Sequence, residues 1–199
     1  ERKGLSMQHY FTDPRLGEDW FTYPNLYSRF VREFKSGSKF VEVGCWKGKS
    51  IAYLGVEIIN SGKNIKVDAV DTWNGTPEEH DWDHYVQTNT LYELFLSNIE
   101  PIKDVINPIR LTSLEAAKLY DDNSLDVVFL DAAHDYESVK QDIAAWLPKI
   151  KTNGYIAGHD YYDNNPSCGV KEAVDDAFLE KTNLEITEFC WVHKKTKEN

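Results

Sequence analysis

The chain is short of positive charge. Its 22 lysines and arginines are set against 33 aspartates and glutamates, a formal net charge of −11. Basic residues gather only at Lys194, Lys195 and Lys197. Phosphate backbones and anionic membrane surfaces are held by clustered lysine and arginine, so neither nucleic acid nor a membrane is an expected partner. Cysteine is scarce as well. Cys45, Cys168 and Cys190 lie far apart and form no C-x-x-C pair, which argues against a thiolate zinc site. An odd number of separated cysteines fits the reduced thiols of a cytoplasmic protein. No run approaches the ~18 apolar residues of a membrane span. The opening Glu1-Arg2-Lys3-Gly4 leads into no apolar stretch of the secretory kind. Internal repeats and low-complexity segments are absent. The acidic balance suits a cationic ligand, and it equally serves to keep a protein in solution.

What is present is an alternation of short apolar runs with amphipathic segments. At 199 residues the expectation is a single domain, long enough to bury roughly 70% of its unfolded surface. Residues 39–44, 65–71, 105–111, 125–131 and 154–159 read as strands, being short, rich in β-branched residues and bounded by turns or acids. Residues 184–189 and 190–194 supply one or two more, with no turn residue to divide them. Helical spacing joins Leu26, Tyr27, Phe30, Val31 and Phe34, then Ile51, Leu54, Ile58 and Ile59. It recurs in Val139, Ile143, Trp146, Leu147 and Ile150, and in Val170, Ala173, Val174, Ala177 and Phe178. Asn153-Gly154 reads as a turn after the third helix. Alternating strands and helices with apolar strands predict an α/β fold. The expected form is a Rossmann-like, doubly wound, mostly parallel sheet of six or seven strands covered by helices on both faces. Residues 1–36 read as an N-terminal cap and helix, and the polar, aromatic stretch 74–86 as a lid inserted between sheet elements.

In such sheets a ligand sits beyond the carboxyl ends of the strands. Here those ends carry Gly44-Cys45-Trp46-Lys47-Gly48, Asp71-Thr72-Trp73, Thr112-Ser113, Asp131-Ala132-Ala133-His134 and His159-Asp160-Tyr161. The first has an acid, Glu42, before a turn with two glycines that opens a helix. Glycine allows close backbone approach, and a helix start offers free N–H groups to a ligand carboxylate. The dinucleotide fingerprint is not met, because Trp46 takes the place of its second glycine. Two glycines also suit an ordinary βα turn. Asp71, ending the second strand, is placed to hydrogen-bond ribose hydroxyls, and Trp73 to stack on an adenine. A helix-capping Asp and a core Trp are the plainer readings of the same pair.

The order of these elements and loops resembles class I S-adenosylmethionine (SAM)-dependent methyltransferases. The string Glu42-x-Gly44-x-x-x-Gly48-x-Ser50 is similar to the first SAM motif of the small O-methyltransferases of catechol and caffeoyl-CoA type. The longer phrases 41–50, 70–73, 129–136 and 156–161 look more like the small bacterial group allied to macrocin-type sugar O-methyltransferases. The resemblance implies that Glu42, Gly44, Cys45, Gly48 and Ser50 surround the methionine part of SAM. It implies too that Asp71 holds the ribose, with Thr72, Trp73 and Ser113 beside the adenine, and that Asp131, facing the crevice, is among the cofactor-binding residues.

In the catechol-type branch a metal-binding Asp at the position of Asp131 is followed three residues later by a catalytic lysine. Here that residue is His134. An imidazole with a pKa near ~6.5 is a suitable base for a hydroxyl nucleophile, while a histidine capping the next helix is the alternative. Metal-dependent relatives carry an Asp-Asn pair after the fifth strand. Asp160 matches the Asp, but Tyr161 stands in place of the Asn. Asp131 and Asp160 are therefore candidate ligands of Mg²⁺ or another divalent cation, and His159 and Asp160 a candidate acid/base or substrate-binding pair. His80 and His84, four apart, have no evident third ligand and read as solvated or substrate-facing. The aromatics Tyr10, Phe11, Trp20, Phe21, Tyr23 and Tyr27 either pack on the first strand or cap the acceptor pocket.

The expected activity is methyl transfer from SAM, by O-methylation of a small molecule or sugar hydroxyl. The rival of another class is a non-catalytic domain that binds SAM or its product as a sensor or partner subunit. A nicotinamide-dependent oxidoreductase fits less well, for want of the second glycine. An exposed aromatic face near the N-terminus would be where a homodimer forms.

Overall fold

The computed structural model describes residues 6–178 and 183–197; the opening Glu1-Arg2-Lys3-Gly4 falls outside them. A seven-stranded sheet organises the chain. Its strands are β1 (Lys39–Val43), β2 (Lys66–Asp71), β3 (Ile106–Arg110), β4 (Leu125–Leu130), β5 (Ile150–Gly158), β6 (Leu184–Thr187) and β7 (Cys190–Lys194), in the order β3-β2-β1-β4-β5-β7-β6. β1 to β5 are mutually parallel, and β7 runs antiparallel to both β5 and β6. The helices are α1 (Pro24–Glu33), α2 (Lys49–Ser61), α3 (Pro77–His80), α4 (His84–Gln87), α5 (Leu91–Ile99), α6 (Ser113–Ala117), α7 (Tyr136–Trp146) and α8 (Val170–Phe178). Among the described residues no helix is long and apolar enough to cross a membrane.

The apolar periodicities account for the two layers. Leu26, Tyr27 and Phe30 of α1, Ile51, Leu54 and Ile58 of α2, and Phe95 and Ile99 of α5 form one core with Phe40, Val67 and Phe129 of the sheet. On the opposite face Val139, Ile143 and Trp146 of α7 and Val170, Val174 and Phe178 of α8 pack on Val41, Val128 and Ile156. Each such side chain, fully buried, is worth about 1.5–3 kcal/mol. Pro108 in β3 is tolerated because that strand is at the sheet edge.

One turn reading is corrected, and the count of the last strands is settled at two. Asn153-Gly154 does not end an element. It lies inside β5, where the pairing of Leu125 with Ile150 jumps to Val127 with Tyr155, leaving extra residues on one strand as a bulge. Asn153 takes φ 70° there, and its N–H donates to Lys195 O. The last two strands are a hairpin whose two-residue turn is Glu188-Phe189, with φ 50° and 64°. Such turns favour Asn-Gly. Here tertiary bonds impose the conformation: the Glu188 carboxylate accepts from Asn25 Nδ2 and from Leu26 N at the start of α1, and Phe189 O accepts from Tyr161 N. A short polar turn in sequence would not reveal that.

The strand order reverses between β1 and β4, which is where a doubly wound sheet opens a crevice. The loops there touch. A Cβ on Gly44, which has φ 88°, would lie 2.0 Å from Asp131 O.

Candidate active site

Beyond the carboxyl ends of β1, β2, β4 and β5 lies a cavity of about 700 Å³. Its end at β1 and β2 is built largely from backbone. Gly48, at φ 91°, precedes α2 with no side-chain cap, so the first N–H groups of this 13-residue helix stay open beside Lys49 and Ser50, which line the cavity. Asp71 holds the loop in shape. Its Oδ2 accepts from Cys45 N at 2.8 Å and Trp46 N at 3.0 Å, and its Oδ1 from Trp73 N at 2.7 Å. Burial pushes the Asp71 carboxyl up, and those backbone N–H groups oppose the push. Of its roughly four acceptor positions, about one is left for a ligand.

Gly44, Cys45, Thr72 and Ser113 also line the cavity. Cys45 does so through its backbone, because its thiol is turned inward to Glu42 O and Val70 O. The Ser113 hydroxyl is engaged by Asp142 and by Trp146 Nε1.

Two expectations are overturned here. Trp73 is 1% exposed and packs on Tyr92 and Phe95, with its indole N–H donated to Trp46 O. Its ring therefore faces the core and not the cavity, where the half-buried Leu111 is the apolar side chain at this end. Glu42 is likewise sealed below the loop, accepting from Tyr27 Oη at 2.6 Å and from Ser50 Oγ. Burial pushes its carboxyl up to about 8. It supports the loop and does not reach a ligand.

The other end is built from charged side chains. His134 Nε2 stands 3.7 Å from Asp131 Oδ1 and 3.0 Å from Asp160 Oδ2. His159 Nδ1 lies 3.1 Å from Asp160 Oδ1 and 3.9 Å from Asp131 Oδ1, and its Nε2 pairs with Thr22 Oγ1 at 3.0 Å. Tyr23 Oη donates to Asp131 Oδ2 at 3.0 Å. Asp131 and Asp160 hold the His134 pKa up, to about 10. The sequence suggests a histidine near its ordinary value acting as a base; the two carboxylates beside it instead favour the protonated imidazole. Burial would lower His159, yet Asp160 and Asp131 outweigh it and raise it. The Asp160 carboxyl, despite its burial, falls well below the usual range because both histidines donate to it.

One ligand atom each of Asp131, His134 and Asp160 lie within 4.8 Å of one another. Two carboxylates and one imidazole are a donor set that suits a divalent cation. Tyr161 takes no part, being 6% exposed with its hydroxyl donated to Asp175. His80 and His84 are exposed on α3 and α4, outside that set.

Two covering segments complete the walls. Residues 16, 18–23 come from the N-terminal side, and Gly75, Thr76 and Glu79 from the inserted stretch. Of the N-terminal aromatics, Tyr23 and Tyr27 pack in the core, while Trp20 and Phe21 line the cavity. Sequence reading did not single out Thr22, Glu18 or the Lys47–Asp83 pair. None belongs to a spacing pattern, and only the fold brings them to the loop.

A family model described as a methyltransferase domain matches residues 41–161. An uncharacterized protein of Sinorhizobium fredii, y4gI, is 26% identical over 156 residues, which are 78% of this chain and 16% of that protein. The chain thus spans about a sixth of that relative's length. Among solved structures, the O-methyltransferase NovP superposes with TM-score 0.65 at 18% identity, over 87% of this chain and 79% of that one. A SAM-dependent O-methyltransferase of Thermotoga maritima gives 0.60 at 17% identity, over 87% and 66%. At these identities the two structures speak for the fold.

Proposed function

Because this chain belongs to the methyltransferase-domain family whose model spans residues 41–161, we propose that it binds SAM and transfers the methyl group to a hydroxyl oxygen of a small molecule or sugar. The observation that carries the reading is one cavity walled at one end by the Gly44–Gly48 loop, the start of α2 and Asp71, and at the other by Asp131, His134, His159 and Asp160. The residues present fit the cofactor. Free N–H groups at Lys49 and Ser50 suit its carboxylate, the remaining acceptor site of Asp71 suits a ribose hydroxyl, and Thr72, Leu111 and Ser113 bound the place of the adenine. The bound cofactor supplies an electrophilic methyl carbon next to a sulfonium.

The protein's own work is to hold the acceptor hydroxyl in line with that carbon and to receive its proton. Asp131 Oδ1 is the proton acceptor in this reading. The Tyr23 hydroxyl fixes its second oxygen, and the protonated His134 lies between it and Asp160. Burial raises the Tyr23 phenol well above its ordinary value, with the Asp131 charge adding to the effect, so it stays a donor. In place of the His134 proton, Asp131, His134 and Asp160 would hold a divalent cation, which would lower the pKa of a bound hydroxyl.

The test is calorimetric titration with S-adenosylhomocysteine, with NAD as control. Saturable binding of the homocysteine compound alone is expected. A folded protein that binds neither, or binds NAD, overturns the proposal.

A further inference from the structure

We propose that Lys47 is a positioning residue: it ties both covering segments to the cofactor loop, so that cofactor binding and closure of the acceptor side are coupled. The inference rests on the reading of that loop as the SAM site.

Lys47 lies between Gly44 and Gly48, where a cation would be expected to meet the cofactor carboxylate. Instead its side chain turns away. It is 7% exposed and does not line the cavity, whereas Lys49 does. Its Nζ is 2.6 Å from Asp83 Oδ2 and 3.4 Å from Glu18 Oε1. It also faces the rings of Trp46, Trp82 and Tyr85, at 5.0, 5.9 and 5.7 Å from their centres.

Each partner belongs to a cover. Asp83 is itself buried, and its other oxygen caps α4 by accepting from Tyr85 N and Val86 N. Glu18 sits on the N-terminal strap, and its second oxygen accepts from Trp46 Nε1 at 3.0 Å. The three indoles close the same joint. Trp20 of the strap, Trp46 of the loop and Trp82 of the insertion stand 6.1, 6.3 and 6.1 Å apart, with Trp20 and Trp82 about half exposed. From the loop's other side, Asn98 Nδ2 donates both to Lys47 O and to Arg15 O.

A buried ammonium is kept only where partners compensate its lost water. Here two acids do so, and they come from the two segments that wall the cavity. A ligand that orders the loop therefore orders the ammonium, and through it both covers. Linkage makes the effect reciprocal: whatever loosens the covers weakens the cofactor by the same factor.

Hydrogen exchange on the unaltered protein is the first test. S-adenosylhomocysteine should raise amide protection not only in residues 44–52 but also in 15–23 and 75–87. Protection confined to 44–52 overturns the proposal. Calorimetry on variants is the second. Lys47→Met and Asp83→Asn should each weaken S-adenosylhomocysteine about tenfold, within the usual range of coupling energies. Lys47→Arg should restore most of the affinity. Lys47→Met/Asp83→Leu, which strands no charge, should fold and be no weaker than either single change. Wild-type affinity in that double variant, or additive losses, would refute the clasp. Absence of binding to the wild-type protein would instead sink the SAM reading beneath it.

Discussion

The two ends of the cavity are made of different materials. The end at β1 and β2 is backbone, drawn into shape by one carboxylate: Asp71 accepts three loop N–H groups. The end at β4 and β5 is a knot of side-chain charge, with Asp131, His134, His159 and Asp160 within 4 Å of one another in pairs. The first offers shape and fixed dipoles, which titrate little. The second holds protons, and its behaviour depends on pH and on whatever cation or hydroxyl enters. A methyl transfer needs both kinds, a rigid holder for the donor and an adjustable receiver for the acceptor's proton.

The two ends share one seam, and the largest expected effect comes from opening it. Gly44→Ala places a Cβ 2.0 Å from Asp131 O at a backbone φ of 88°. Backbone cannot yield as a flexible side chain would. The loss of stability is expected to be about 4 kcal/mol or more, read by denaturant unfolding, and S-adenosylhomocysteine binding should vanish with it. A variant that melts and binds like the wild type would show that the ends are not joined at Gly44.

Changing one end only should separate the two functions. His134→Ala should leave S-adenosylhomocysteine affinity within about threefold and cut turnover by ~10²–10⁴, the range of general acid–base contributions. The pH profile sharpens the point. The His134 proton is held up to about 10 by Asp131 and Asp160, so if the imidazolium is the working form, kcat/KM falls as pH rises through about 10. A rate that instead climbs tenfold per pH unit up to that value would return the base role to the imidazole and remove it from Asp131. A shift of the profile on adding Mg²⁺ would point to occupancy of the three-residue donor set.

The same contrast decides what could be read from sequence. Repeating apolar positions announced the strands and four of the helices, because burial on a face leaves a period. They missed α5, although Leu91, Leu94, Phe95 and Ile99 carry the helical spacing. Gly44, Gly48, Asp71, Asp131 and Asp160 were legible because turns and strand ends restrict residue type. The orientation of side chains was not. Glu42 and Trp73 sit at motif positions, yet each points into the core, which one residue of strand alternation or a positive φ of 51° at Trp73 decides. The environment of His134 was half hidden: Asp131, the larger influence, is three positions away, but Asp160 is 26 positions away in the chain and 3.0 Å away in the fold.

The smallest effect expected is at Glu42, the titrating group buried beneath the end that otherwise titrates little. Burial raises its pKa from an ordinary 4.5 to about 8. Between those values the folded state keeps a proton that the unfolded chain has released. Its contribution to stability is therefore fully present below about 4.5 and is lost as pH rises through about 8. Glu42→Gln keeps the shape of the protonated acid and cannot ionise, so it should flatten this part of the pH dependence. Thermal melts of both proteins at pH 5, 7 and 9 would measure it. The variant should gain on the wild type from pH 5 to 9, each kcal/mol appearing as about 2–4 °C for a domain of this size. Parallel curves would mean that Tyr27 and Ser50, both bonded to the carboxylate, stabilise its charged form enough to cancel the burial, and Asp71 would then be the titrating group left at the backbone end of the site.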